Sequence, residues 1–477
     1  MEIVRCVTLL LAAASTYDLM RDRRWRGRVL DAIAVSGFLV AVLGIGQYAG
    51  LLSGLFPVYP SYTQRVYSVF GNQDLFGGYL AVVLAVSLMR LSGRPRWFSV
   101  RLFAIGCVCL GLLLSASRTA WLAAAAGCLV TLYHVRWSRV RWLTVLGVIG
   151  VVVATGVLLA PQATLHRIAT TFHAEDHGGR LRLWFWDGAV RMIRDHPVAG
   201  VGPTNFAYWS PRYLGAALRA PGGGGYDHNE LLVDHPHSEP LGLFAEYGAL
   251  GVVCGVWMLV RLIRCGGGAE WGGLTALIVF SLFNAPFHSA PHALAGLVLA
   301  SALLGRRFSA TRTRSGWLYG LAAAGCTVFF AGAVLLPSVW LRSAEDEHLA
   351  RRPPFAQYER CTLYAWPNAT AQLKYGIALL EAGRYSEARR AFTDAMKGTD
   401  TGEVYLALAL LEWRTGAPVP ARAWLDECLW RWPSSRDAWF LLALSSTGEE
   451  REGVYRQAEL WLTPDALNRI KTDLAGR

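Results

Sequence analysis

The chain concentrates its metal-binding residue types in one polar segment, residues 227–237. The histidine and aspartate side chains there are Asp227, His228, Asp234, His235 and His237. Imidazole and carboxylate groups can bind zinc when the chain brings them together. Their spacing places no two ligands four residues apart on a defined helix, so the pattern does not favour a metal site. We expect neither a metal nor another cofactor.

A second candidate site lies just upstream, around Arg180. The residues that follow helical spacing there are apolar: Leu181, Trp184, Phe185, Ala189 and Met192. The residues largely on the opposite face are charged: Arg182, Asp187, Arg191 and Arg194. This pattern predicts an amphipathic helix that lies on the outer face of a membrane or packs on a helix bundle. Arg180 precedes it and adds to the positive helix N-terminus, which suits a phosphate; a solvated helix-end charge is the alternative.

These segments interrupt a strongly apolar chain. Its 477 residues are 53% hydrophobic and only 17% charged, whereas soluble domains have about 25% charged residues. A membrane-spanning helix needs about 20 mostly apolar residues. We assign spans near 6–19, 31–54, 75–92, 101–115, 120–134, 142–160, 238–263, 271–286, 290–305 and 316–340. The fold predicted for residues 1–340 is therefore an all-α transmembrane bundle of about ten spans.

The arginines predict the orientation of this bundle. Numbered alternately, the connections on one side carry 18 arginines, whereas the short connections on the other carry only Arg65 and Arg118. Such an excess marks the cytoplasmic side, so the loop 161–237 and the C-terminal part are expected outside. The net charge of +12 arises from these arginines. Because they lie at the ends of apolar runs rather than on one soluble face, we exclude a nucleic-acid partner.

Residues 341–477 are predicted to form a separate extracytoplasmic domain of helical repeats. Several residue pairs recur 33 positions apart: Gly383 with Gly416, Ala388 with Ala421, and Phe392 with Leu425. A period of about 34 with small residues at the helix crossing is typical of tetratricopeptide repeats. Such a solenoid offers a surface for a protein or glycan partner, or serves only as a stabilising appendage. Cys361 and Cys428 in this domain could form a disulfide, although no sequence feature brings them together.

Four segments of the membrane part contain short polar motifs. They are GNQDLFGGYLA (71–81), SASRTAW (115–121), GGRLRLW with DHPVAGVGPTNF (178–184 and 195–206), and HSEPLGLFAEYGALG (237–251). In this order they resemble the signatures of the O-antigen ligase and polymerase family, over roughly residues 30–305. Many members of that family also carry a C-terminal repeat domain.

The resemblance implies a multi-pass enzyme of the bacterial cytoplasmic membrane that transfers glycans on its outer face. The donor would be a glycan on undecaprenyl diphosphate, and the acceptor a lipid A core sugar for a ligase or another glycan for a polymerase. His237 would be the catalytic residue that orients or deprotonates the acceptor hydroxyl. Arg118 and Arg180 would bind the donor diphosphate. The supporting residues would be Arg182, Ser238 and Glu246.

Other interpretations remain open at this point. Arg118 could be an interfacial arginine that extends its charge to the headgroups, and His237 a structural or helix-capping residue. His228 begins a similar HNELL motif but lacks AEYG at the right distance. Family members usually have about twelve spans, so the chain is expected to lack three at its start. That leaves a non-catalytic membrane anchor for the repeats as an alternative to an enzyme; a transporter would need broken helices at the midplane, which the sequence does not indicate.

Overall fold

The computed structural model describes residues 2–52, 66–91, 97–135, 177–218, 233–307, 340–348, 354–364 and 369–475, with isolated positions at 143–145, 147, 150–151 and 350. Within these residues every regular element is a helix, so the all-α prediction is confirmed. Most of the predicted span 142–160 and all but the last residue of 316–340 lie outside the described residues, and the total of ten spans stays a prediction.

The membrane part is a bundle arranged around one central helix. Its helices are α1 (Glu2–Arg21), α2 (Arg23–Tyr48), α3 (Gln73–Leu91), α4 (Phe98–Leu114) and α5 (Arg118–His134), followed later in the chain by α8 (Glu239–Ile263), α9 (Glu270–Ser281) and α10 (Ala290–Arg307). Helix α3 is buried along nearly its whole length because α2, α4, α5 and α9 surround it. Glycine permits the close approach of α3 and α9, because a Cβ on Gly78 would lie 2.4 Å from the ring of Phe280.

Several of these helices are apolar enough to cross a membrane. Helices α2, α3 and α8 have both the length and the hydropathy for a span, and α4 and residues 290–305 of α10 are shorter apolar helices. The second half of α8 exposes Val253, Val256, Trp257 and Met258. Apolar side chains exposed in this way suit contact with lipid rather than with water. The chain is a membrane-embedded protein.

The two ends of the bundle differ in chemistry. At one end, Arg90 donates to both carboxylate oxygens of Asp31 at 2.8 Å, and Arg101 reaches the same carboxylate at 3.3 Å. The opposite end gathers the start of α3, the start of α5 and the connection between α9 and α10. Arg90 and Arg101, which flank one of the arginine-rich connections, thus lie at the end of the bundle opposite the starts of α3 and α5.

Two further helices pack on the polar-motif end. Helix α6 (His177–Asp195) and helix α7 (Phe206–Leu218) pack on each other and on the first half of α8. The apolar face predicted for α6 is the one that is buried, with Phe185, Ala189 and Met192 at most 4% exposed. Of the two positions predicted for this helix, the structure shows the one packed on other helices. Residues 219–232, which include Asp227 and His228, lie outside the described residues.

The C-terminal part is built from successive helix pairs. Its helices are α11 (Phe355–Tyr364), α12 (Ala369–Glu381), α13 (Tyr385–Met396), α14 (Gly402–Arg414), α15 (Pro418–Arg431), α16 (Arg436–Leu444), α17 (Gly448–Ala458) and α18 (Pro464–Ala475). Helix α12 packs on α13, and α14 packs on α15. Gly383 and Gly416, 33 residues apart, occupy the turns within these two pairs with left-handed φ of 75° and 78°.

The other residues of the 33-residue period also occupy equivalent places. Ala388 and Phe392 of α13 are buried, and so are Ala421 and Leu425 of α15. Assignment of this array to the tetratricopeptide class stays a prediction. Cys361 and Cys428 are both buried, in α11 and α15, and no disulfide joins them.

Candidate active site

His237 lies immediately before α8, in a left-handed backbone conformation with φ of 51°. Its imidazole ring stacks on the ring of Phe185 from α6, with centroids 5.5 Å apart and planes at 25°. The edge of His235 meets it from another side at a centroid distance of 4.6 Å. Non-glycine residues in the left-handed region are held there by their surroundings and occur often at functional sites. The chain therefore fixes the position of this imidazole from both its backbone and its ring.

The surroundings of His237 keep its ring neutral. The pKa of His237 is lowered from 6.5 to about 4, mainly by burial and then by the nearby His235 and Arg182, while Asp74 and Asp234 act in the opposite direction. At neutral pH the imidazole therefore has one nitrogen with a free lone pair, which can accept a hydrogen bond from a hydroxyl group.

Arg182 is held beside His237 by the first polar motif. Its Nη2 lies 3.3 Å from Oδ2 of Asp74, in the first turn of α3. Asn72 caps that turn, because its side-chain oxygen accepts from the backbone nitrogens of Asp74 at 2.8 Å and Leu75 at 3.1 Å. The motif GNQD therefore has a physical explanation: Asn72 begins the helix, and Asp74 positions an arginine of α6.

Arg118 begins α5 at the same end of the bundle. A Cβ on Gly77, one turn beyond Asp74, would lie 2.6 Å from Oγ of Ser115, so the SASRTAW motif adjoins the start of α3. Oγ1 of Thr119, the residue after Arg118, accepts a hydrogen bond from Nδ2 of Asn284 at 2.9 Å. Arg118 thus lies at a helix N-terminus, partly buried, on the side of the bundle where α6 packs. A cation at that position supplements the partial positive charge of the helix end.

The loop 195–206 crosses α8 at a break in that helix. Gly248 interrupts α8 with φ of 63° and ψ of −161°. The interruption leaves carbonyl oxygens of α8 without helical partners, and the loop supplies them: the backbone nitrogens of Val201 and Gly202 donate to Ala245 and Glu246, each at 2.9 Å. The sequence motifs DHPVAGVGP and AEYG are thus the two halves of one backbone junction.

Ser238 and Glu246 support this architecture. The carbonyl oxygen of buried Ser238 accepts the first helical hydrogen bond of α8, from the nitrogen of Gly242 at 2.9 Å. The Oε1 atom of Glu246 accepts from the backbone nitrogen of Phe206 at 3.3 Å. Glu246 is therefore placed at the N-terminus of α7, where a carboxylate is favourable. Both residues shape the helices that carry the site.

The structure adds three residues to those predicted from sequence. Phe185, Asp74 and His288 all lie around the histidine pair; the ring of His288 is 5.0 Å from that of His235. Arg180 belongs to the first turn of α6 instead of preceding the helix, and its side chain lies outside what the structure describes. No group of three or more His, Cys, Asp or Glu side chains in the described residues is arranged to hold a metal ion.

One comparison with known proteins covers this site. Residues 102–256 match the family model described as O-Antigen ligase. This segment belongs to the O-antigen ligase family. The O-antigen ligase segment contains Arg118, Arg180, Arg182, His237, Ser238 and Glu246, whereas Asp74 precedes it. The match supports a membrane function of the O-antigen ligase or polymerase type in polysaccharide biosynthesis. No curated protein matches the chain.

Proposed function

We propose that the chain is a membrane glycosyltransferase of the O-antigen ligase type. The donor is a glycan on undecaprenyl diphosphate, and the acceptor is a hydroxyl group of lipid A core or of another glycan, on the outer face of the bacterial cytoplasmic membrane. The observation that carries the proposal is the neutral, fixed His237 beside the Arg182–Asp74 ion pair, at the bundle end where Arg118 begins α5. A neutral histidine suits a hydroxyl acceptor and arginines suit a diphosphate leaving group, and the reaction brings these two groups together.

The arginines would act on the leaving group. As the bond between the anomeric carbon and the phosphate oxygen breaks, its electron pair goes to the diphosphate, which gains negative charge. Guanidinium groups fixed before the reaction stabilise such charge without reorganisation. We assign this role to Arg118, at the start of α5, and to Arg180, in the first turn of α6.

His237 would act on the acceptor. Its neutral ring accepts a hydrogen bond from the acceptor hydroxyl and orients the oxygen toward the anomeric carbon. An imidazole whose pKa is about 4 is a weak base. The hydroxyl proton becomes acidic enough for transfer only as the new carbon–oxygen bond forms to the cationic sugar, so proton transfer follows bond formation. The proton then passes from the imidazolium to water, because a conjugate acid with this pKa does not retain it at neutral pH.

The proposal can be tested with the full-length protein in liposomes. The substrates are a synthetic undecaprenyl diphosphate-linked oligosaccharide and a lipid A core acceptor, with EDTA present. We expect glycan transfer and release of undecaprenyl diphosphate to continue in EDTA, since arginines carry the charge of the diphosphate. A single transferred glycan indicates a ligase, and a ladder of glycan lengths a polymerase.

Two outcomes would contradict this account. Loss of transfer in EDTA that zinc or magnesium restores would assign the charge stabilisation to a metal, with the segment 227–237 as its site. Absence of transfer to every acceptor, from a protein that is folded and binds the donor, would favour the non-catalytic anchor.

A further inference from the structure

The C-terminal helices pack directly on the part of the membrane domain that carries the candidate site. Helix α15 packs against α7, and a Cβ on Gly215 of α7 would lie only 2.3 Å from the carbonyl oxygen of Trp430. Only glycine allows this approach of the two backbones. Tyr208, in the first turn of α7, lies near the ion pair of Asp400 and Arg431, whose atoms are 2.9 Å apart. The contact thus has both a close-packed and a charged part.

A second contact leads from the same domain to the catalytic histidine. Trp461, between α17 and α18, packs against a small hydrophobic cluster centred on Phe185 and Leu214. These two residues are 4% and 2% exposed, so the cluster is closed to water. Phe185 presents its ring to His237 in the stacked arrangement described above. Trp461 is therefore connected to the site through this cluster: it packs on the cluster that Phe185 forms with Leu214, and Phe185 stacks on His237.

We infer that Trp461 is a positioning residue for glycan transfer: it fixes the ring of Phe185, and through it the imidazole of His237. The inference rests on the function proposed above. It makes the C-terminal domain part of the active site rather than a tethered arm, although the domain contributes no group to the reaction itself.

The physical reason is that the stacked ring of Phe185 is one of the contacts that hold His237 in place. Its left-handed backbone conformation is strained and persists only while the surroundings hold it. Truncating the partly buried Trp461 removes its packing on this cluster and leaves space that the neighbours fill only partly. With Trp461 removed, the ring of Phe185 gains room to rotate away from His237, which then loses its stacking partner and becomes more accessible to water.

The test measures His237 itself as well as transfer. Diethyl pyrocarbonate modifies neutral, accessible imidazoles, and fragmentation of the labelled peptide by mass spectrometry separates His237 from His235. In full-length Trp461→Ala protein in liposomes we expect His237 to be modified roughly three- to tenfold faster, because the protecting contact opens more often. Trp461→Phe, which keeps an aromatic ring, should restore most of the protection.

Trp424→Ala is the matched control. Trp424 packs in the core of the C-terminal domain but does not belong to the cluster around Phe185. The Trp424→Ala substitution should leave the modification rate of His237 unchanged. In transfer assays, Trp461→Ala should lower kcat by about tenfold or more with little change in KM, since loss of orientation slows the bound complex.

The possible results distinguish failure of the inference about Trp461 from failure of the proposed function. Equal modification rates in the wild type and Trp461→Ala would overturn the inference. So would equal acceleration in Trp461→Ala and Trp424→Ala, because general loosening of the domain would then explain it. The labelling does not depend on catalysis, so failure of the proposed function would appear as absent transfer in the wild type while the labelling result stands.

Discussion

The residues around His237 in space, rather than its position in the sequence, keep its imidazole neutral and fixed. Three other histidines of the chain, at 228, 235 and 288, are close to it in sequence or in space. What distinguishes His237 is a stacked aromatic ring, a left-handed backbone and an adjacent cation in the ion pair of Arg182. Together these keep the imidazole neutral and immobile, which is the state that a hydroxyl acceptor requires.

A first prediction concerns the pH dependence of transfer. Because burial lowers the pKa of His237 to about 4, the ring stays neutral where an ordinary histidine would protonate. We expect the wild-type rate to change little between about pH 7.5 and about pH 5.5. The rate should fall as the pH approaches the pKa that His237 has in the folded protein. The measurement is kcat against pH in liposomes. A loss of rate centred near pH 6.5 would show that a different histidine controls the reaction.

Arg182 provides the complementary variant. Its charge lowers the pKa of His237, so Arg182→Gln removes one of the effects that oppose Asp74 and Asp234. We expect the acid limb of the pH profile to move to higher pH in Arg182→Gln, whatever its effect on the maximal rate. An acid limb at the wild-type position would mean that the two side chains do not interact.

The same pKa predicts how stability changes with pH. In the unfolded chain the imidazole of His237 is protonated near its ordinary pKa of 6.5, whereas in the folded protein it is protonated only near pH 4. Lowering the pH through this window therefore favours the unfolded state. His237→Gln, which cannot protonate, should lose less thermal stability than the wild type between about pH 6.5 and about pH 4. Equal losses would assign the acid sensitivity to other groups.

At the scale of elements, the site depends on the junction between α8 and the loop 195–206. Gly248 is the residue that makes it possible, because its φ of 63° with ψ of −161° is a conformation essentially restricted to glycine. A Cβ at this position would also lie 2.2 Å from the carbonyl oxygen of Val198. No side chain fits without displacing backbone.

Gly248→Ala should therefore prevent correct folding of this region. We expect the variant to accumulate poorly and, when extracted, to unfold at a clearly lower temperature, since backbone strain alone costs about 1–3 kcal/mol. Gly255→Ala, further along α8, is the control, because its Cβ would meet only the flexible end of Leu243 at 3.2 Å. Fluorescence-detected size-exclusion chromatography after heating compares the two. Equal thermal stability would show that the junction is dispensable.

The ends of the helices could largely be predicted from hydropathy. The break within a helix and the contacts between helices could not. The run 75–92 corresponds to α3, which ends one residue earlier, and 120–134 to α5, which begins two residues earlier because Ser117 occupies its N-cap position. The break at Gly248 was not predicted, since glycine is common within membrane helices. Asp74 and Phe185 were missed as site residues because their roles arise from pairing with residues over a hundred and about fifty positions away in the chain.

At the scale of the whole molecule, orientation follows from charge. Among the described residues, Arg90 and Arg101 meet Asp31 at one end of the bundle, and the candidate site and the C-terminal helices lie toward the other. If the arginines face the cytoplasm, both the site and the C-terminal domain are outside. Protease added to intact spheroplasts should then remove the chain beyond about residue 345, with a cytoplasmic marker protein remaining intact. Protection of that domain would reverse the orientation and with it the proposed outer site.

The most direct test of the account is the transfer rate of His237→Ala beside that of His228→Ala. A residue that orients or deprotonates the acceptor contributes roughly 10²–10⁴-fold to the rate. We expect His237→Ala to insert and accumulate like the wild type and to lose nearly all glycan transfer, while His228→Ala retains most of it. If the two variants transfer glycan at similar rates, or if His237→Ala does not accumulate, His237 is a structural residue and the active site lies elsewhere.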